Sequence, residues 1–269
     1  MNLLERMEAT NLPAITLWWL GHCGFVLKFH DIAFYLDPCL STPPGRTRIA
    51  ALPLQPEQMG NADLILCTHR GATHMDPGTL IPALAASPRV RVVLPKSAAA
   101  HANALGVPYA RMTTTDSGLR VEYFKHGLYG RVYAIPSAHP NLDFTPQGGY
   151  PCLGYLIRFS DVTVYHAGDC GNYEGLADRL RPYRVTAALL PIGGAGNFEP
   201  AEAAQLAEDI GAQWLVPMHY GTFQDDDADV SRFVDHMLGF RPSIGFKVFE
   251  PGEGWTIPPA ALGGDTLKP

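Results

Sequence analysis

The chain has 269 residues, with 20 Lys and Arg against 26 Asp and Glu, so its formal net charge is −6 with the ten His neutral. Hydrophobic residues make up 46% and charged residues 17%, below the roughly 25% charge of an average globular chain, which excludes intrinsic disorder and leaves apolar material for a large core. The acidic balance, with no run of Lys or Arg, excludes a nucleic-acid groove, because phosphate neutralisation needs clustered cations.

Residues 1–10 carry Glu5, Arg6 and Glu8, and the first apolar run, from Leu12 to Leu20, is broken by Pro13. That start lacks the basic head and apolar stretch of a signal peptide, and nothing later reaches the ~20 apolar residues of a membrane span. The expectation is a cytoplasmic protein without membrane partners. Apolar, β-branched runs then predict strands at Ile15–Leu20, Gly24–Phe29, Ile32–Asp37, Asp63–Thr68, Val90–Leu94, Leu119–Phe124, Arg131–Ser137, Leu153–Phe159, Val162–His166, Thr186–Ile192, Gln213–Met218 and Gly245–Glu250. Helical spacing predicts Pro77–Ala86, Ser97–Leu105, Tyr173–Leu180, Glu199–Ile210 and Ala228–Leu238. In the fourth helix Pro200 stands in the first turn, Ala203, Leu206, Ala207 and Ile210 share a face, and Gly211 is the stop.

Gly and Pro are spread along the chain, so no linker divides it and residues 1–269 read as one domain. The first third is nearly all strand and the rest alternates strand with helix, which predicts an α/β fold. Many strands are apolar on both faces, so helices must cover the sheets outside while the sheets pack on each other, giving layers ordered helix, sheet, sheet, helix. The five cysteines are odd in number and unclustered, and read as reduced thiols rather than a disulfide framework. Packing suffices for all but Cys170, which stands beside Asp169 and either reaches a metal or packs.

The informative pattern lies where the apolar runs end. Leu64–Thr68 runs into His69, Val132–Ala138 into His139, Val162–Gly168 into Asp169 and Trp214–Met218 into His219. Rigid strands that stop at a common edge set their exit residues on one rim, and imidazole with carboxylate is the ligand set of Zn, Mn or non-haem Fe. His74, five residues after His69, joins them just before Asp76-Pro77 open a helix. His30, His101, His126 and His236 have no such placement and read as ordinary core or surface imidazoles.

In this order, Trp19-Leu20-Gly21-His22, Leu36-Asp37-Pro38, Ala62 to His69, Ser137-Ala138-His139, Gly154-Tyr155-Leu156-Ile157, His166-Ala167-Gly168-Asp169, Gly196-Asn197-Phe198 and Met218-His219-Tyr220-Gly221 resemble the metallo-β-lactamase fold superfamily, most of all its L-ascorbate-6-phosphate lactonase-like branch. The resemblance runs from about Leu17 to Phe223 and implies a four-layer αββα sandwich with a two-metal cleft at one edge of the sheets. It also implies one ion on His69, His139 and Asp169 and a second on His74, Asp169 and His219, with Asp169 bridging and Asp169 and His219 carrying the catalysis. The first motif departs from the family's Thr-His-x-His-x-Asp-His: Gly71 replaces the second His and Thr73 the Asp. The occupancy is therefore one or two ions.

A divalent ion lowers the pKa of its bound water to about 7, giving a hydroxide that attacks activated carbonyls or phosphoesters. The predicted function is thus a metal-dependent hydrolase of a small anionic substrate, lactone or phosphoester, with Zn or Mn. Fe is the further possibility, since His74, Asp169 and His219 also compose a 2-His-1-carboxylate set. The alternative is a redirected family member that uses the cleft to bind a ligand, with one metal or none. Arg70, Asn197 and Tyr220 are candidates to contact substrate, as are Arg46 and Arg48 for an anionic group. His22 and Asp37 either orient the ligand imidazoles from behind or are a strand-start polar group and a turn carboxylate. Thr68 is expected to bond backbone near the ligand loop. A small-molecule substrate is the expected partner, with a homo-oligomer left open.

Overall fold

The computed structural model describes residues 1–240 and 244–258; the last part of the single domain expected over 1–269 lies outside them. Two seven-stranded sheets form the centre. The first contains β1 (Thr16–Gly21), β2 (Gly24–Phe29), β3 (Ile32–Leu36), β4 (Leu64–Leu66), β5 (Arg91–Pro95) and β6 (Met112–Thr115), side by side in that order, with β14 (Gly254–Thr256) on the free edge of β1. The second contains β7 (Arg120–Lys125), β8 (Leu128–Pro136), β9 (Leu153–Phe159), β10 (Val162–His166), β11 (Ala187–Pro191), β12 (Trp214–Met218) and β13 (Gly245–Phe246), again in sequence order.

Side chains alternate across a strand, so a strand apolar at every position feeds two cores. Leu17 and Trp19 of β1, Phe25 and Leu27 of β2 and Phe34 and Leu36 of β3 share a core with Tyr155, Ile157 and Val164 of the second sheet. Their neighbours Trp18, Val26 and Tyr35 face the other way, into a separate core with Leu3, Met7, Leu80, Leu84 and Ala102. Those last residues belong to α1 (Leu3–Ala9), α2 (Pro77–Ala86) and α3 (Ala99–Ala104), which cover the first sheet. On the second sheet lie α4 (Leu176–Leu180), α5 (Pro200–Asp209) and α6 (Val230–Phe240), with Leu180, Leu206 and Phe233 buried against it. The layer order is helix, sheet, sheet, helix, as the two-faced apolar strands require. No described helix is long and apolar enough to cross a membrane.

The structure adds elements the sequence pattern did not reveal. Helix α1 precedes the first strand, started by a capping box in which Asn2 Oδ1 accepts from Glu5 N and Glu5 Oε2 from Asn2 N. Strand β6 is largely threonine and β14 is three residues long, too polar or too short to register as periodic runs. Conversely, the strand expected at Gly245–Glu250 pairs in the sheet only through Gly245 and Phe246. The helix expected from Tyr173 begins at Leu176, because Gly175 takes a left-handed φ of 84°.

Strand direction makes the rim. Strands β1 and β3 both run antiparallel to β2, and β4 runs parallel to β3, so these three end at one edge. In the second sheet β8 and β10 are both antiparallel to β9, and β11 and β12 follow β10 in parallel. His22, Asp37 and His69 leave the first sheet at the ends of β1, β3 and β4, while His139, Asp169 and His219 leave the second beyond β8, β10 and β12.

Candidate metal centre

The exits meet at one carboxylate. Asp169 Oδ2 lies 3.2 Å from His74 Nε2, 3.6 Å from His139 Nε2 and 3.8 Å from His69 Nε2, and Asp169 Oδ1 lies 3.7 Å from His219 Nε2. His69, His74 and Asp169 are buried, whereas the His139 side chain keeps 26% of its surface exposed. The donor atoms of His69, His139 and Asp169 all fall within 4.8 Å of one another. The same spacing unites His74 and Asp169 with Cys23, and His219 with His22 and Cys23.

Behind this shell stands a buried hydrogen-bond frame. Asp37 Oδ2 is 2.7 Å from His74 Nδ1, while Thr68 donates to the same carboxylate from its backbone N, at 2.7 Å, and from Oγ1, at 2.6 Å. The Thr68 hydroxyl, expected to bond backbone, thus goes to the Asp37 carboxylate, which the Thr68 backbone N also reaches. Asp37 makes the orienting contact rather than merely ending a turn, since a carboxylate on one ring nitrogen leaves the other aimed at the site. Gly168 permits the approach: at φ +63° a Cβ there would stand 2.7 Å from Thr68 Oγ1.

His22 has a parallel frame. Its backbone N donates to Thr222 Oγ1 at 2.6 Å, its O accepts from His219 N at 3.1 Å, and its Nδ1 lies 3.3 Å from Asp226 Oδ1. Asp226 is held by the backbone N atoms of Thr222 and Phe223 and by Arg46. His22, Asp37 and His219 all adopt left-handed backbone conformations, with φ of 51°, 39° and 68°, a strain that persists where surrounding structure fixes it. Sequence reasoning missed Cys23 and Asp226 as members of this cluster. The available signal was the Cys adjacent to His22 at the strand exit.

Electrostatics separate the imidazoles. Burial, then the neighbouring His74, pushes His69 down to about 3, and burial, then His22, pushes His219 down to about 4. Burial also opposes charge on His74, but the carboxylates of Asp169 and Asp37 outweigh it and raise its value to about 10. Against burial, Asp169 is held well below the ordinary carboxylate range by His74, His219 and His69. Burial, followed by Asp169, raises the Cys23 thiol well above its usual value.

The residues expected at the substrate divide. Arg70 is exposed directly after His69. Asn197 acts as a brace, accepting from Cys170 N and donating to Gly193 O, each at 2.8 Å, and also lines the depression beside the cluster. Tyr220 corrects the expectation of substrate contact: it is buried against Trp19, with ring centroids 4.6 Å apart, and its hydroxyl is taken by Phe249 O at 2.8 Å. Arg46 and Arg48 likewise serve structure. Arg46 pairs with Asp225 and Asp226, Arg48 donates to Cys39 O and Ser41 O, and both lie over Phe223. The Cys170 thiol donates to Gly171 O at 3.2 Å and belongs to none of the three triads. Beside the cluster, a depression of about 440 Å³ is lined by residues 192–200, Asp227, Ala228, Asp229 and Arg232.

The donor chemistry fits a divalent ion. Within the described residues, His22 Nε2 is buried with no hydrogen-bond partner, and His74 Nε2 lies close to Asp169 without hydrogen-bond geometry; such atoms are costly unless something else binds them. His166 is the contrast, a buried imidazole satisfied by Cys23 O at 2.7 Å and by Gly168 N at 3.2 Å. The lowered values of His69 and His219 keep them in the neutral form that coordinates metal.

Comparison with known proteins agrees. A sequence profile of the Beta-lactamase superfamily domain matches residues 33–220. A UPF0173 metal-dependent hydrolase of Myxococcus xanthus is 32% identical over 258 residues, covering 92% of this chain and 87% of that protein. Among solved structures, a metallo hydrolase from the archaeon Ignicoccus hospitalis superposes with a TM-score of 0.70 at 22% identity, over 90% of this chain and 98% of its own. An isothiocyanate hydrolase from Delia radicum gut bacteria gives 0.71 at 17% identity, over 90% and 99%. The structural likenesses establish the shared fold. The chain belongs to the metallo-β-lactamase superfamily and, within it, to the family of metal-dependent hydrolases that the Myxococcus protein represents, a family that implies a divalent metal.

Proposed function

We propose that this chain hydrolyses a small anionic substrate, a lactone or a phosphoester, with zinc or manganese held by His69, His139 and Asp169 and by His74, Asp169 and His219. The observation that carries the reading is the convergence of four imidazole Nε2 atoms on the Asp169 carboxylate at 3.2–3.8 Å. When bound, such ions polarise the scissile group and supply a nucleophilic water at neutral pH. Asp169 stands between the donor groups, with Oδ2 toward His69, His74 and His139 and Oδ1 toward His219. Asp37 keeps a proton on His74 Nδ1, leaving Nε2 to face the site. His139, the most exposed of the imidazoles on Asp169, borders the substrate. Asp169 is the only carboxylate in the three donor triads, so loaded ions leave the cleft net positive, and exposed Arg70 adds to the attraction for an anion.

A second reading is a redirected member that binds a ligand without turning it over, and Gly71 and Thr73, which offer no metal donor, are the observation in its favour. Assay of zinc- and manganese-loaded protein against a panel of lactones and phosphodiesters separates the two. Hydrolysis that His219→Ala lowers by about a hundredfold or more supports the hydrolase; metal-loaded protein that binds such anions but hydrolyses none of them establishes the binding reading instead.

A further inference from the structure

Cys23 lies where a metal donor would. Its Sγ is 3.6 Å from Asp169 Oδ1 and the residue is fully buried. Like Asp169, it belongs to two donor triads, Cys23 with His74 and Asp169, and Cys23 with His22 and His219. The neighbouring His22, 1% exposed, places Nδ1 3.3 Å from Asp226 Oδ1 without hydrogen-bond geometry, and its Nε2 has no hydrogen-bond partner among the described residues. A carboxylate on one imidazole nitrogen and an orphaned, buried second nitrogen is the arrangement that ligating histidines show. Resting on the metal-centre reading above, we propose that the turn between β1 and β2 is part of the metal site, with Cys23 as a thiolate ligand to the ion that His74 and His219 face.

Charge and chemistry support the assignment. Asp169 is the only anionic oxygen donor in the triads, and it must serve the whole cluster. A thiolate at Cys23 doubles the anionic charge facing the ions and does so without the side chains that Gly71 and Thr73 lack. As the sulfur–metal bond forms, the thiol proton leaves to solvent. Sulfur with imidazole and carboxylate suits zinc and cobalt better than manganese, whose preference is for oxygen. The inference therefore also narrows the metal.

The test is cobalt loading of the metal-stripped, full-length protein under anaerobic conditions. The expected result is a near-ultraviolet thiolate-to-cobalt charge-transfer band that grows as cobalt binds. It is lost in Cys23→Ser, together with part of the retained cobalt, and kept in Cys152→Ser and Cys170→Ser. X-ray absorption of the zinc-loaded wild-type protein needs no variant and is expected to show a sulfur scatterer, so a Cys23→Ser protein that fails to fold does not spare the proposal. Cobalt retained without a thiolate band, or zinc surrounded only by nitrogen and oxygen, overturns the role of Cys23 while leaving the metal centre intact. A chain that retains neither cobalt nor zinc nor manganese overturns both.

Discussion

Gly71 decides how His69 sits. A Cβ at this position would stand 2.4 Å from His69 Nε2, well inside the 3.5–4.0 Å of nonbonded contact, although Gly71 is not among the positive-φ glycines. The loop that lacks a second imidazole has thus let the first fold across its backbone. Restoring the family pattern with Gly71→His and Thr73→Asp would appear from sequence alone to add a metal site. The structure predicts the opposite for position 71: Gly71→Ala displaces the His69 ring and weakens the first ion about tenfold to hundredfold, read by metal titration. Unchanged affinity with an unmoved ring would contradict this. Asp37→Asn tests the frame from the other side. It weakens the acceptor for both His74 and Thr68 and is expected to cost a similar factor in metal affinity, with the fold retained.

The residues readable in the sequence were those a strand delivers to its end, His69, His139, Asp169 and His219. Cys23 and Asp226 were not readable. Cys23 looks like one more buried thiol in an apolar stretch, and Asp226 is the middle of a run of three acids from Asp225 to Asp227. They enter the site through contacts spanning nearly the whole chain, His22 with Thr222 and Asp226, and no local pattern encodes that pairing.

At the level of elements, the strands with two apolar faces announced themselves and fixed the layer order. Edge strands β6 and β14 did not, because an edge needs less burial and tolerates threonine, glycine and short length. The helix that follows the ligand loop shows how local chemistry supports the site. Asp76 caps α2, accepting from Gly78 N at 3.0 Å, and its carboxylate also takes the hydroxyls of Ser41 and Thr79 and the backbone N of Ser41. It ties the loop after β3 to the start of the helix two residues beyond His74. Asp76→Ala is expected to destabilise the protein by about 1–2 kcal/mol, measured by denaturant unfolding, and to loosen metal binding through His74. A loss below ~0.5 kcal/mol would show that Ser41 and Thr79 hold the junction without it.

For the whole molecule, the buried imidazoles make stability of the metal-free chain depend on pH in two opposing ways. His69 and His219, depressed to about 3 and about 4 from 6.5, resist protonation when folded, so their contribution is complete above pH 6.5 and is lost as pH falls. His74, raised to about 10, contributes fully below 6.5 and loses its contribution as pH rises toward 10. The metal-stripped protein should therefore melt highest near pH 6.5 and lower on both sides, whereas loaded protein, in which His74 has exchanged its proton for the ion, should lose the alkaline decline. A metal-free melting profile that keeps rising from pH 6.5 to 9 would contradict the opposed pair.

All of this rests on the cluster being a metal centre, and an ion bound at a hundred times its Kd stabilises the folded state by about 2.7 kcal/mol. The direct measurement is elemental analysis of protein purified without chelator, paired with the melting midpoint before and after a strong chelator. At least one divalent ion per chain, a clear fall in the midpoint on its removal and a much smaller fall in His219→Ala are expected. Metal-free protein whose midpoint the chelator leaves unmoved, and which takes up no zinc, manganese or cobalt when these are offered, would contradict the metal centre.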